Sequence, residues 1–368
     1  MLNASVAGWL KCDVNPFMRT RIALLSLMSA LVLWGCSPKK PADNAETPKA
    51  SASRTFTTVE SEETLEQNQI QAEATALFTK RAFSEFEALA AKYRASKEAY
   101  ASGSWKLGYV YAGLEPSEDA PLAAWIDRVA IADEWMRKRP DSMTARVAKA
   151  RLLIGYGWSV RGARWADNVK EKQWAQFFAL LQQAVKVLRD AKPLPERCPF
   201  YWSTWQKAAM GAQMEKAQYD ALFQQAIKEF PDYWPYYQTR AIFLLPRWYG
   251  KPGEWEKDLT WSADRLGGEA GDMLYAQVVC ETQDYGGGID VFEGKRISWD
   301  RVQKGLELLL TKFPQSLVLK NQRTLLAGLA GDKEKARAYF PEIQDQCELA
   351  VWHDKEKITK FVNWMYGK

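Results

Sequence analysis

Apolar residues recur at helical spacing from about Glu63 to the end of the chain, and this pattern confines the fold to packed helices. The clearest stretch is Trp174, Phe177, Phe178, Leu181, Ala184, Val185 and Leu188, one stripe over four turns. Tyr219, Leu222, Phe223, Ala226, Ile227 and Phe230 repeat it, as do Val302, Leu306, Leu309, Leu310 and Phe313. A stripe of this kind is buried only against a neighbour, so stacked helical hairpins are the expected unit. Strand signals are nearly absent, and only Ile289 to Ile297, around Glu293-Gly294, reads as a small hairpin.

Two stripes end in Phe-Pro, at Phe230-Pro231-Asp232-Tyr233 and Phe313-Pro314-Gln315-Ser316, and Arg139-Pro140-Asp141-Ser142 ends another helix in the same way. Proline fits a helix stop, and Asp or Ser beside it caps the next helix. From Pro314 onward, Asn321, Ala327, Gly328, Gly331-Asp332 and Ala336 put small residues where paired helices cross, and this stretch resembles a tetratricopeptide unit. Pro140, Pro231 and Pro314 do not fall at multiples of its ~34-residue period, so loops must interrupt the array. The expected fold is all-α: an irregular tetratricopeptide-like solenoid or bundle of helical hairpins over residues 60–368.

Met18-Arg19-Thr20-Arg21 precedes the apolar run Ile22 to Trp34, which leads into Leu33-Trp34-Gly35-Cys36. A basic segment, an apolar segment and a small residue before cysteine form a pattern similar to a bacterial lipoprotein signal, with Trp34 its one bulky departure. Met18 is the more natural start. The resemblance implies diacylglycerol on the Cys36 sulfur, cleavage after Gly35 and acylation of the new terminus. Ser37 in place of Asp implies the outer membrane, with the body facing the periplasm. The competing reading, a membrane-spanning anchor, needs ~20 apolar residues, more than this run supplies. Residues 1–35 are thus the expected signal, and their loss leaves a nearly neutral chain.

Residues 36–59 continue as a segment rich in Pro, Ser, Ala, Thr and Lys with little to bury, the composition of a flexible tether of roughly 25–30 Å. Of the remaining cysteines, Cys198, Cys280 and Cys347 allow at most one internal disulfide, and Cys280 after Val278-Val279 reads as a buried thiol.

Gly157-Trp158-Ser159-Val160-Arg161-Gly162, Leu244 to Gly250, Ile297-Ser298-Trp299-Asp300 with Gly305, and the Asn321–Asp332 stretch together resemble an uncharacterised bacterial family, a domain of unknown function with tetratricopeptide-like helices. The likeness spans roughly residues 94–366. It implies a fold and carries over no activity, cofactor or catalytic residue.

Chemistry is restricted by His353 being the only histidine, which disfavours triads and multi-histidine metal sites. A net charge of +5 is too balanced for a nucleic-acid binder. Gly286-Gly287-Gly288 lacks the Lys-Ser/Thr of a phosphate loop. Asp127, Glu134 and Asp264 read as a solvated helix face, and His353 as a capping or surface residue. No catalytic residue, metal or cofactor is named. The aromatic clusters Phe200-Tyr201-Trp202 with Trp205, Tyr233-Trp234 with Tyr236-Tyr237, and Trp248-Tyr249 with Trp255 fill gaps between helix layers or line a groove. Candidate groove residues are Arg161, Arg164, Trp165, Trp234, Tyr237, Arg247 and Trp248. Arg161 and Arg247 sit at helix ends, where a cation bonds terminal carbonyls or grips a partner's carboxylate. The expected function is a lipid-anchored envelope module that binds a protein or peptide partner. The alternative is an envelope enzyme working on cell-wall glycan or peptide by carboxylate chemistry.

Overall fold

The computed structural model describes residues 55–367, apart from 101, 118, 163–167 and 286–289. Among them, sixteen α-helices follow one another with two short strands, β1 (Thr58–Val59) and β2 (Cys347–Glu348). The helices are α1 (Glu62–Thr79), α2 (Phe83–Ser96), α3 (Lys106–Ala112), α4 (Leu122–Lys138), α5 (Met143–Arg161), α6 (Glu171–Ala191), α7 (Pro199–Gly211) and α8 (Lys216–Glu229). They continue as α9 (Pro235–Phe243), α10 (Glu254–Leu266), α11 (Gly268–Asp284), α12 (Trp299–Lys312), α13 (Leu317–Leu329), α14 (Lys333–Tyr339), α15 (Leu349–Trp352) and α16 (Lys355–Tyr366). None is long and apolar enough to cross a membrane.

The proline stops act through caps. Ser142 accepts from the Ala145 amide to open α5, and Ser316 accepts from Leu319 to open α13, each satisfying one orphan donor of the first turn. At Pro231 the outcome differs. Asp232 does not cap but pairs with Lys97 at 2.9 Å, and α9 starts instead on Pro235, whose missing N–H costs nothing in a first turn.

The stripes face inward as their spacing requires. Phe177, Leu181, Ala184, Val185 and Leu188 of α6 are buried, as are Tyr219, Leu222, Phe223, Ala226 and Ile227 of α8. Sequential helices pack pairwise, closely at α4–α5–α6–α7–α8 and at α10–α11–α12. Glycines permit the tightest crossings: a Cβ on Gly305 of α12 would lie 2.1 Å from the Asp272 carbonyl oxygen of α11, and one on Gly271 of α11 2.2 Å from that of Ala263 in α10.

The expected hairpin at Ile289–Ile297 is absent from its described part, residues 290–297. Asp290 accepts from the Phe292 amide at 3.0 Å and curls the chain into a 3₁₀ turn over Glu293–Lys295, with Gly294 at φ 72°. A short carboxylate bonding its own backbone competes with strand pairing. Val291 and Ile297 are buried in the helical core.

A second, smaller core gathers Phe340, Ile343, Cys347, Val351, Trp352, Ile358 and Met365 from the C-terminal helices, with Phe56 packed against it. Residues 55–59, the end of the expected tether, belong to this unit. β1 pairs in parallel with β2, Thr58 beside Cys347 and Val59 beside Glu348. Asn321 anchors the junction from α13: its Oδ1 accepts from the Glu348 amide at 3.1 Å and the Trp352 indole at 2.7 Å, while its Nδ2 donates to Leu317 and Gln346 carbonyls. Further along, Trp234 Nε1 donates to the Gly103 carbonyl at 2.5 Å, Trp105 meets Tyr233 edge-on at 5.0 Å, and Gln277 reaches the Ser102 carbonyl. The beginning of the helical array is thereby tied to its middle and its end, and the array closes on itself.

Candidate functional site

Arg161 ends α5 and is 2% exposed. Its Nη1 donates to the Gly162 carbonyl at 2.8 Å, and its guanidinium lies 6.0 Å from the Trp158 ring and 5.5 Å from that of Trp174. Trp248 meets Trp158 edge-to-face at 6.0 Å and donates through Nε1 to the Tyr285 hydroxyl at 2.9 Å. Arg247 stacks over the Tyr285 ring at 4.6 Å and donates to its carbonyl at 3.3 Å. Tyr285 is the C-cap of α11, so Arg247 serves the end of a helix other than its own. Trp234 and Tyr237 lie apart from this cluster, both buried. Tyr237 donates to the Pro231 carbonyl and packs edge-on to Phe223. Arg161 and Trp248 thus line one small concavity with Trp158 and Trp174, Arg247 is half-buried, and Trp234 and Tyr237 are buried elsewhere. Arg164, Trp165, Cys36 and Gly286–Gly288 lie outside the described residues.

Of the carboxylates set aside by the sequence, Glu134 pairs with Arg81 and Lys138 and Asp264 with Arg301, while Asp127 is exposed on α4. His353 pairs with Asp284. Cys198, Cys280 and Cys347 are free and buried, and burial pushes each thiol up, away from nucleophilic use at neutral pH. Among the described residues no group of three His, Cys, Asp or Glu side chains is placed to hold a metal ion.

A cleft of about 510 Å³ opens beside α6, α7 and α8. Its floor is Met143, Cys198, Tyr201 and Trp202, all buried. Pro199 starts α7 at its first turn, which puts Tyr201 and Trp202 on successive positions facing the core and the cleft. The Tyr201 hydroxyl donates to the Leu188 carbonyl of α6 at 3.0 Å, and Trp202 stacks on Trp205 at 5.9 Å, so both rings are held rigidly. The rim carries Lys192, Arg197 and Lys228, all exposed, with Gln225 between them. Its two carboxylates are already engaged: Glu196 with Arg94, Glu229 with the Trp202 indole at 3.0 Å. An aromatic floor under exposed cations suits an anionic segment that brings its own apolar group. The Phe200-Tyr201-Trp202 run signals this floor in the sequence. The rim was missed because its lysines come from two different helix ends.

A second concavity of about 150 Å³ lies where the array closes, lined from α1, α3, α11, α13 and α15. Burial, and then the negative charges of Asp284 and Glu63, push Glu281 up to about 7. Burial also raises Glu63, against the Ser102 hydroxyl that donates to it at 2.6 Å. Nothing in the sequence around Glu281 distinguishes it from a surface helix carboxylate.

No protein-family model, no curated protein and no solved structure matches the chain.

Proposed function

We propose that this chain is a lipid-anchored, periplasm-facing helical-hairpin protein of the bacterial envelope that holds an anionic segment of a protein or peptide partner in the α6–α8 cleft. The observation that carries the reading is the cleft itself, a rigid aromatic floor beneath Lys192, Arg197 and Lys228. Its volume lies within the ~300–1,000 Å³ of ordinary ligand sites. Tyr and Trp supply large contact area at little entropic cost, and cations on the rim steer and orient a partner of opposite charge. The anchor is Cys36, and the segment between it and Thr55 gives the body reach from the membrane. The outer membrane's periplasmic leaflet is the proposed location.

Binding of an Asp/Glu-rich peptide containing one Phe, set against the same peptide with Lys in place of its acids, tests the cleft in the full chain. The acidic peptide binds, more weakly at higher salt, and the double change Lys192→Glu and Lys228→Glu weakens it about tenfold or more without lowering the melting temperature. Equal binding of the two peptides, or no effect of the charge reversal, overturns the reading.

A further inference from the structure

The rim of the α6–α8 cleft owes its charge to a residue that does not line it. Arg94, in the last turn of α2, stands 102 positions from Glu196 yet donates to its carboxylate through Nη1, while its Nη2 donates to the Thr144 hydroxyl of α5 at 2.9 Å. Two partners on two elements fix the planar guanidinium, whose side chain is 11% exposed against 38% for Glu196. The pair is thus rooted in the body and ends at the rim.

The other rim charges show what Arg94 changes. Lys192, Arg197 and Lys228 face two carboxylates, Glu196 and Glu229, so the lining alone leaves a net of one positive charge. Glu229 is shared between the Trp202 indole and Arg197, the latter at 3.7 Å. Among the described residues Lys192 donates to the neutral Gln225 at 3.3 Å and makes no ion pair, and Lys228 makes none either. Without Arg94, Glu196 would have Arg197 beside it and Lys192 four positions before it as its nearest cations along the chain. A carboxylate free to pair with them competes from within the protein against an acidic partner.

We infer that Arg94 determines the specificity of the cleft: by holding Glu196 it leaves Lys192 and Arg197 to a partner's carboxylates and sets the preference for an acidic segment over a basic one. The inference rests on the binding of an acidic segment proposed above. Arg94 does not line the cleft and acts through Glu196, so it is a positioning residue. Were the pair only a fastening between α2 and the loop before α7, cutting it from either end would loosen the cleft alike. In the specificity role the two ends differ, because losing Arg94 frees a competing charge whereas neutralising Glu196 removes it.

Titration of the full chain with the acidic Phe-containing peptide and with its Lys-substituted counterpart tests this, the readout being the ratio of the two affinities. Arg94→Gln lowers the ratio by about threefold to fivefold, the size of a partly exposed ion pair. Glu196→Gln, which keeps the shape of the side chain and an acceptor for Arg94, leaves the ratio at or above wild type. The double change Arg94→Gln and Glu196→Gln restores it to within about twofold of wild type, since no competing carboxylate remains. Should Arg94→Gln fail to fold, Arg94→Lys replaces it: one ammonium cannot span Glu196 and Thr144 together, so the ratio falls by a smaller step and Glu196→Gln again restores it. A ratio unchanged by the Arg94 variant, lowered by Glu196→Gln or not restored in the double variant overturns the assignment and leaves the cleft standing. Equal affinity of the wild-type chain for both peptides removes the cleft reading and this inference with it.

Discussion

Arg247 donates to the carbonyl of Tyr285, the residue that closes α11, at 3.3 Å while its guanidinium lies 4.6 Å from the centre of the same residue's ring. One side chain thus supports a helix terminus and packs an aromatic face at once. Arg161 does the same at its own helix end, bonded to Gly162 between the Trp158 and Trp174 rings. Both arginines are structural in this arrangement.

Arg161→Ala is therefore expected to destabilise the body by about 2–4 kcal/mol, since it leaves a void among Trp rings and loses a buried charged donor. Arg247→Ala, at a half-buried site, is expected to cost about 0.5–2 kcal/mol. Urea unfolding followed by circular dichroism measures both. Wild-type midpoints for the two variants would return these arginines to a binding role.

The junction of the chain's two ends rests on Asn321, fully buried and bonded on both sides of its amide. Asn321→Leu removes the acceptor for Glu348 and Trp352 and the donor to Gln346, and is expected to cost about 2–4 kcal/mol. Hydrogen exchange should show lost protection at the Cys347 amide, which donates to Thr57 at 2.8 Å. Unchanged exchange there would mean that closure does not depend on Asn321.

A chain beginning at Thr55 should be as stable as the longer one, whereas one beginning at Ser61 should lose about 1–3 kcal/mol. The shorter chain lacks β1, the Thr57 bonds to Gln344 and Cys347, and the packing of Phe56. Equal melting temperatures would show that these residues contribute nothing to the body.

Stability should fall as pH rises through the range set by Glu281. Its folded pKa of about 7 lies above the ordinary glutamate value of 4.5, so the protonated form is favoured in the folded state. The stability tied to that form is complete below about pH 4.5 and is lost as pH rises through about 7. Facing it are Glu63, Asp284, Tyr109 and Cys280, with Glu66, Glu348, His353 and Lys357 just beyond. Glu281→Gln removes the ionisation, so its unfolding midpoint should exceed wild type above pH 7 and converge with it near pH 4. A constant difference across that range would rule Glu281 out as the source.

Much of this was legible in the sequence, because the signals were local. Ser142 and Ser316 cap the helices after Pro140 and Pro314, and the α6, α8 and α12 stripes are buried where their 3.6-residue spacing puts them. The misses were matters of competition and distance. Asp290 bonding its own backbone displaced the expected hairpin, and Lys97 drew Asp232 away from a cap. Trp234 and Gly103 stand 131 positions apart, and no periodicity announces such a contact. An aromatic that packs a core and one that lines a cleft share one composition: Trp234, Tyr237 and Trp248 are as buried as Trp202, and what sets Trp202 apart is its place on the α6–α8 cleft.

Lipidation has its own test. Cys36→Ala should abolish palmitate labelling and block cleavage after Gly35, because in the proposed anchor the Cys36 sulfur takes the diacylglycerol group. Labelling that survives the substitution would exclude Cys36 as the anchor.

The α6–α8 cleft is tested most directly by a photo-crosslinking residue at Gln225, on its rim, in the full chain within cell envelopes. Mass spectrometry of the adduct should place the crosslink in an acidic segment of a partner, and the adduct should disappear with Lys192→Glu and Lys228→Glu. A crosslinker at exposed Lys355 in α16 should not yield it. No adduct from Gln225, the same adduct from Lys355, or one that persists through the charge reversal would contradict the cleft as the partner's seat.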